Sequence, residues 1–123
     1  MKPLSITLWL VWGCLQPLLV HAFPPMQLFV DITPAGGVLT LPAGTYAGPA
    51  VINKPMTIEG QGEVTVDGEG VGSVLTVKSD GVTVRGLHLT NSGDSHDQVD
   101  AGLLLKADGA LIEDNQIDNV LFG

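Results

Sequence analysis

The sequence predicts an all-β solenoid, a right-handed parallel β-helix, and three observations carry that expectation. Short runs alternate apolar with polar residues between Gly, Asp or Asn. A pattern of about 26 to 28 residues repeats. Beyond Phe23, no segment shows the i, i+3, i+4, i+7 apolar period of a helix.

The alternating runs are Val38 to Leu41, Met56 to Glu59, Val64 to Asp67, Leu75 to Lys78, Val82 to Arg85 and Leu87 to Thr90. Strands of about four residues are too short for an ordinary sandwich. Leu75 to Arg85 returns 28 residues later as Leu103 to Glu113, with Leu75/Leu103, Lys78/Lys106, Asp80/Asp108 and Gly81/Gly109 identical. An earlier copy starts at Met56, 26 residues before Val82. Two or three short strands per unit suit a coil in which each turn stacks on the last. Leucine-rich repeats have a similar length, but their Leu-x-x-Leu-x-Leu frame and helical return are missing.

In that register Met56, Ile58, Val64, Val66, Leu75, Val77, Val82, Val84, Leu87, Leu89, Leu103, Leu105, Ile112 and Ile117 point inward, and Gly and Asn turn the corners. Glu59, Arg85 and Glu113 then occupy one place in successive turns, so a ladder of alternating charge is expected outside one sheet. Lys78 and Lys106 also stack, as do Asp80 and Asp108, and Lys-to-Asp neutralisation is expected at that turn. Asp67, Thr90 and Asp118 align in the same way.

Three segments follow from this reading. Residues 1–22 have the layout of a secretory signal peptide: Lys2, an uncharged run from Pro3 to Val20, and a Val20-His21-Ala22 ending. Pro3, Gly13 and Pro17 interrupt that run, which argues against a retained span and against membrane insertion after cleavage. Cys14 leaves with the signal, so disulfides and thiolate metal sites are not expected in what remains. Residues 23–36 form an N-terminal cap. Residues 37–123 are the first turns of the solenoid, truncated at the C-terminus, where Asn119 to Gly123 stops as another turn is due.

Charge narrows the partners. With 13 acidic residues against 5 basic ones, net charge is −8. Such a chain repels nucleic acid and anionic lipid and favours cations or basic protein surfaces.

The candidate site is the polar excursion from Asn91 to Asp100, a loop projecting from the wall. Asp94, His96, Asp97 and Asp100 offer three carboxylates and an imidazole, which suit a hard cation or copper. Their spacing matches no EF-hand or repeat-type calcium loop, and a solvated acidic loop or a docking loop uses the same residues. His88 lies between inward leucines, faces outward and has Gln116 as its equivalent one turn on, a poor partner for a metal. Met26 and Met56 carry the thioether that copper(I) prefers, but Met56 is in a core register and Met26 in the cap.

Leu41-Pro42-Ala43-Gly44-Thr45-Tyr46 followed by Val51 to Gly60 resembles the first turns of parallel β-helices of the carbohydrate-binding and sugar-hydrolase type, the pectin-lyase-like fold. Val84-Arg85-Gly86-Leu87, Thr90 to Ser95, Asp100-Ala101-Gly102-Leu103, Glu113-Asp114-Asn115 and Asn119 to Gly123 together are similar to one branch, the NosD family. That resemblance implies a periplasmic protein working with an ABC transporter membrane subunit and a copper chaperone. Its role would be in building the copper–sulfur centre of nitrous oxide reductase, with copper as cargo, no cofactor of its own and no catalytic residue.

The rival expectation is a polysaccharide-active β-helix enzyme: a lyase, a hydrolase or a uronate C5-epimerase. A lyase needs a strong base near clustered carboxylates, and the sole arginine, Arg85, is placed in the charge ladder. A hydrolase needs two carboxylates about 5 to 9.5 Å apart across a groove, which the two-turn separation of Asp67 and Asp118 barely meets.

Overall fold

A computed structural model describes residues 23–123; the expected signal segment, Cys14 included, lies outside the described residues. The described chain is one short helix, α1 (Met26–Ile32), followed by nine strands. They are β1 (Val38–Thr40), β2 (Gly44–Ala47), β3 (Ala50–Ile52), β4 (Thr57–Asp67), β5 (Leu75–Val77), β6 (Thr83–Thr90), β7 (Leu103–Leu105), β8 (Leu111–Glu113) and β9 (Gln116–Asp118).

All seven strand pairings are parallel. One sheet runs β1-β4-β6-β8, with β2 also on β4 and β9 also on β6; the other runs β3-β5-β7. The fold is therefore all-β, with each strand laid beside its predecessor a turn earlier. Leu75 pairs with Leu103, Val84 with Ile112 and Leu89 with Ile117, which is the 28-residue offset of the sequence repeat.

The runs Met56 to Glu59 and Val64 to Asp67 join into the single strand β4, and Val82 to Arg85 and Leu87 to Thr90 into β6. The reason lies at the corner. Glu59 pairs with Arg85 and Val64 with Leu87, so Gly60 to Glu63 are accommodated opposite Gly86 alone. A Cβ on Gly60 would lie 2.4 Å from the Gly86 carbonyl oxygen, and Gly86 has φ +71°, so only glycine lets the two turns stack this closely. The next turn uses a different device at the same place. Asn115 Oδ1 accepts from Leu87 N at 2.9 Å while its Nδ2 donates to Val84 O at 2.9 Å, supplying partners to backbone groups of β6.

The inward set forms the core. Met56, Ile58, Val64, Val66, Leu75, Val77, Val82, Val84, Leu87 and Leu89 are all buried. Leu103, Ile112 and Ile117 are only partly covered, and Leu105 is 46% exposed although it stacks on Val77. These residues lie on β7, β8 and β9, each of which has a single described neighbour.

The expectation of no helix after Phe23 is corrected by α1. At seven residues the helix is too short to display an i+7 period: Met26 and Val30 are buried and Phe29 packs against the core, an i, i+3, i+4 set that ends there. It carries no side-chain N-cap, so packing rather than propensity holds it. Phe29 meets Tyr46 edge-on with ring centres 5.5 Å apart. Gln27 Oε1 accepts from Val51 N at 2.7 Å and its Nε2 donates to Val51 O at 2.9 Å, closing the free edge of β3 as a strand would. No helix among the described residues is long and apolar enough to cross a membrane.

Candidate functional site

Two polar regions stand outside the stacked strands. The first is the outer face of β4, β6 and β9. Thr65, His88 and Gln116 share one column there, and Asp67, Thr90 and Asp118 the next, as the repeat predicts.

His88 does not pair with Gln116 in its own column. Its Nε2 donates to Asp118 Oδ1 at 2.9 Å, on the diagonal, and Thr65 Oγ1 stands 3.5 Å from Nδ1. With Nε2 donating, the neutral ring leaves Nδ1 to accept from the Thr65 hydroxyl. Both nitrogens are thus directed at protein partners, and the ring joins three successive turns. Asp118 is held below the usual carboxylate range, chiefly by the His88 hydrogen bond and next by Thr90. Asp67 is engaged as well: its Oδ1 accepts from Glu69 N at 2.7 Å and from Asn91 Nδ2 at 2.9 Å. The carboxylates considered for hydrolysis are therefore each held by neighbours, with Thr90 between them in register.

The charge ladder forms on the other half of β4 and β6. Arg85 Nη1 is 3.6 Å from Glu59 Oε1, and Arg85 Nε is 3.1 Å from Glu113 Oε1. The second contact is an ion pair without the direction of a hydrogen bond, since Nε finds no hydrogen-bond partner. The Lys78/Asp80 expectation is corrected: Asp80 Oδ1 accepts from the backbone N–H of Asp108 at 2.8 Å, and neither lysine enters an ion pair among the described residues. A backbone donor is fixed one turn above Asp80, whereas a lysine must order a long chain to reach it.

The second region is the loop from Asn91 to Asp100. It is tied down rather than free. Asp100 is buried, its Oδ2 accepting from Ser95 N at 3.0 Å. Its backbone N–H donates to Ser95 O at 3.1 Å, and Gly93 leaves no room for a Cβ beside that carboxylate. Asp94, His96 and Asp97 are exposed, and the His96 ring meets Phe122 edge-on at 5.8 Å. A hollow of about 210 Å³ between this loop and Asn119 to Leu121 is lined by Asp94 alone of the four candidate metal ligands. Among the described residues no group of three or more His, Cys, Asp or Glu side chains is placed to hold a metal ion. Met26 and Met56 are both buried in the core.

Sequence reasoning missed the His88–Asp118 contact because it compared His88 with its register equivalent, Gln116. Asp118 lies two residues further along the same face, which was the available signal.

No family model and no solved structure matches the chain. A curated protein of Pseudomonas aeruginosa, "Probable ABC transporter binding protein NosD", is 38% identical over 89 residues, which is 71% of this chain. The chain spans about a fifth of that relative's length, 21%. Through those 89 residues the chain is related to NosD.

Proposed function

We propose that this protein is a periplasmic accessory component of an ABC transporter system, serving copper-site maturation of nitrous oxide reductase, and that its stacked strands are the first turns of a right-handed parallel β-helix. The observation that carries the reading is the 38% identity to a protein named as an ABC transporter binding protein, over most of the described chain. The parallel pairing of every strand, reaching the 28-residue offset of the sequence repeat in the last set of pairings, supports the solenoid.

On this reading the protein docks and delivers; it is not an enzyme. Copper is cargo, handed on by a copper chaperone, and the ABC transporter membrane subunit is the docking partner. The engagement of His88, Asp67 and Asp118 with neighbouring groups supports a structural part for those side chains. The acidic loop residues Asp94, His96, Asp97 and Asp100 are proposed as a weak cation contact, through the exposed members. The signal segment 1–22 takes the chain to the periplasm and is removed.

Copper(I) titration of the protein, followed by circular dichroism and run beside an assay on polyuronates, tests this reading. Copper binding or receipt with polyuronate left intact is the expected result. Cleavage or epimerisation of a polyuronate by a protein indifferent to copper would replace the reading with the enzymatic one.

A further inference from the structure

We infer that Asp108-Gly109 is a site of spontaneous covalent modification, at which the aspartate rearranges to isoaspartate through a cyclic imide. The chain holds three Asp-Gly dipeptides, Asp67-Gly68, Asp80-Gly81 and Asp108-Gly109. Glycine after aspartate lets the following backbone nitrogen approach the side-chain carboxyl, since no Cβ stands in the way. In the step, the Gly109 nitrogen attacks Asp108 Cγ in its carboxylic-acid form. The N–Cγ bond forms, the carboxyl C–O bond breaks, and the N–H proton leaves with the departing hydroxyl as water. Water then adds to either carbonyl of the five-membered imide. Opening at Cγ restores aspartate, whereas opening at the α-carbonyl breaks the original peptide C–N bond and leaves isoaspartate, its main chain one atom longer. One water is lost and one regained, so no other reactant is needed.

The surroundings of the three dipeptides decide which of them reacts. Gly68 is buried and its N–H donates to Thr90 O at 2.9 Å, so that nitrogen is engaged. The Asp67 carboxylate is engaged too, by Glu69 N and Asn91 Nδ2. Asp80 is exposed, but its Oδ1 accepts from Asp108 N at 2.8 Å, which ties the carboxyl to the next turn. Asp108 occupies the same place in the repeat without that tie: its carboxyl accepts no hydrogen bond and enters no ion pair among the described residues. Neither Gly81 N nor Gly109 N donates to a backbone acceptor there, so the Asp80 bond is the difference between the two copies. Asp108 and Gly109 are both exposed, and a Cβ on Gly109 would meet nothing within 4 Å. The bend between β7 and β8 therefore has room to bring nitrogen and carboxyl together.

The test is to incubate the purified protein warm at mildly acidic pH, once folded and once in concentrated guanidinium chloride, and to digest it with trypsin. Cleavage after Lys78, Arg85 and Lys106 puts the three aspartates on separate peptides. Isoaspartate is located by electron-transfer fragmentation and counted independently with a protein isoaspartyl methyltransferase. In the folded protein, isoaspartate at Asp108 is expected to accumulate roughly tenfold faster than at Asp80, the factor for first breaking one charge-assisted hydrogen bond. Accumulation at Asp67 should be slower still, and unfolding should bring the three rates together. Asp108→Glu should remove the Asp108 product, because the longer side chain does not close a five-membered imide. Equal or faster accumulation at Asp80 or Asp67 in the folded protein, no isoaspartate at Asp108, or an Asp108 excess that survives unfolding would each overturn the inference.

Discussion

Gln27 pairs with Val51 as one strand residue pairs with another: its side-chain amide accepts from the Val51 N–H and donates to the Val51 carbonyl. One side chain from α1 thereby satisfies two backbone groups at the edge of β3. Replacing Gln27 by Ala leaves both groups without their partners. Partial burial puts the expected loss at about 1–3 kcal/mol, read as a lower urea midpoint. An unchanged midpoint would show that water serves Val51 equally well.

Asn115 does the corresponding work at the corner of β6. Asn115→Ala is expected to destabilise by about 1–3 kcal/mol, with Asn115→Asp intermediate because the carboxylate keeps the acceptor and loses the donor. Amide exchange at Leu87 reports the loss locally, and protection equal to wild type would contradict the assignment.

At the same corner, Gly60→Ala sets a Cβ against the Gly86 carbonyl. Because the obstacle is backbone, neither turn can relax by a rotamer change. The variant is expected to lose about 1–3 kcal/mol, the range of overpacked sites. Gly62→Ala, with open space around it but φ +77°, tests strain without a clash and should lose less.

Arg85 stands between Glu59 and Glu113, each partly exposed. Exposed ion pairs contribute about 0 to 1 kcal/mol, so Arg85→Gln should lower stability by no more than roughly 2 kcal/mol for the two contacts. The loss should shrink in concentrated salt. A salt-independent loss would mean that packing of the arginine stem, not charge, is what the ladder supplies.

The Asp118 carboxyl is held low by His88, and so its contribution is present above the ordinary carboxylate pKa and is lost as pH falls through the depressed folded value. His88→Ala should move the Asp118 titration upward in a carboxyl-detected NMR experiment. Thr65→Val, on the far side of the ring, should move it less. An Asp118 titration that is the same in wild type and His88→Ala would assign the depression to Thr90 and Gln116 instead.

Much of the frame was legible in the residues. The repeat of Leu75 to Arg85 at Leu103 to Glu113 set the pairing of β5 with β7 and of β6 with β8, and the Glu59–Arg85–Glu113 ladder followed from that register. Stacking makes such features readable, because a residue's neighbour is its own equivalent one turn away. What escaped depends on side chains that leave their column or reach the backbone: His88 to Asp118, Asn115 to Leu87, Asp80 to Asp108. Helix α1 escaped because its seven residues end before an i+7 position, so that Met26, Phe29 and Val30 do not establish a period. The loop shows the same limit. Asp94, His96, Asp97 and Asp100 are close in sequence, but Asp100 turns inward to Ser95 while His96 lies against Phe122.

The measurement closest to the central claim is complementation. The protein is returned to a denitrifying strain of its own organism from which its gene has been deleted, and nitrous oxide reductase purified from that strain is assayed for its copper–sulfur centre by absorption and for copper content. Recovery of the centre with the protein present, and an enzyme deficient in that centre without it, is the predicted result. A fully assembled centre in the deletion strain would contradict the account.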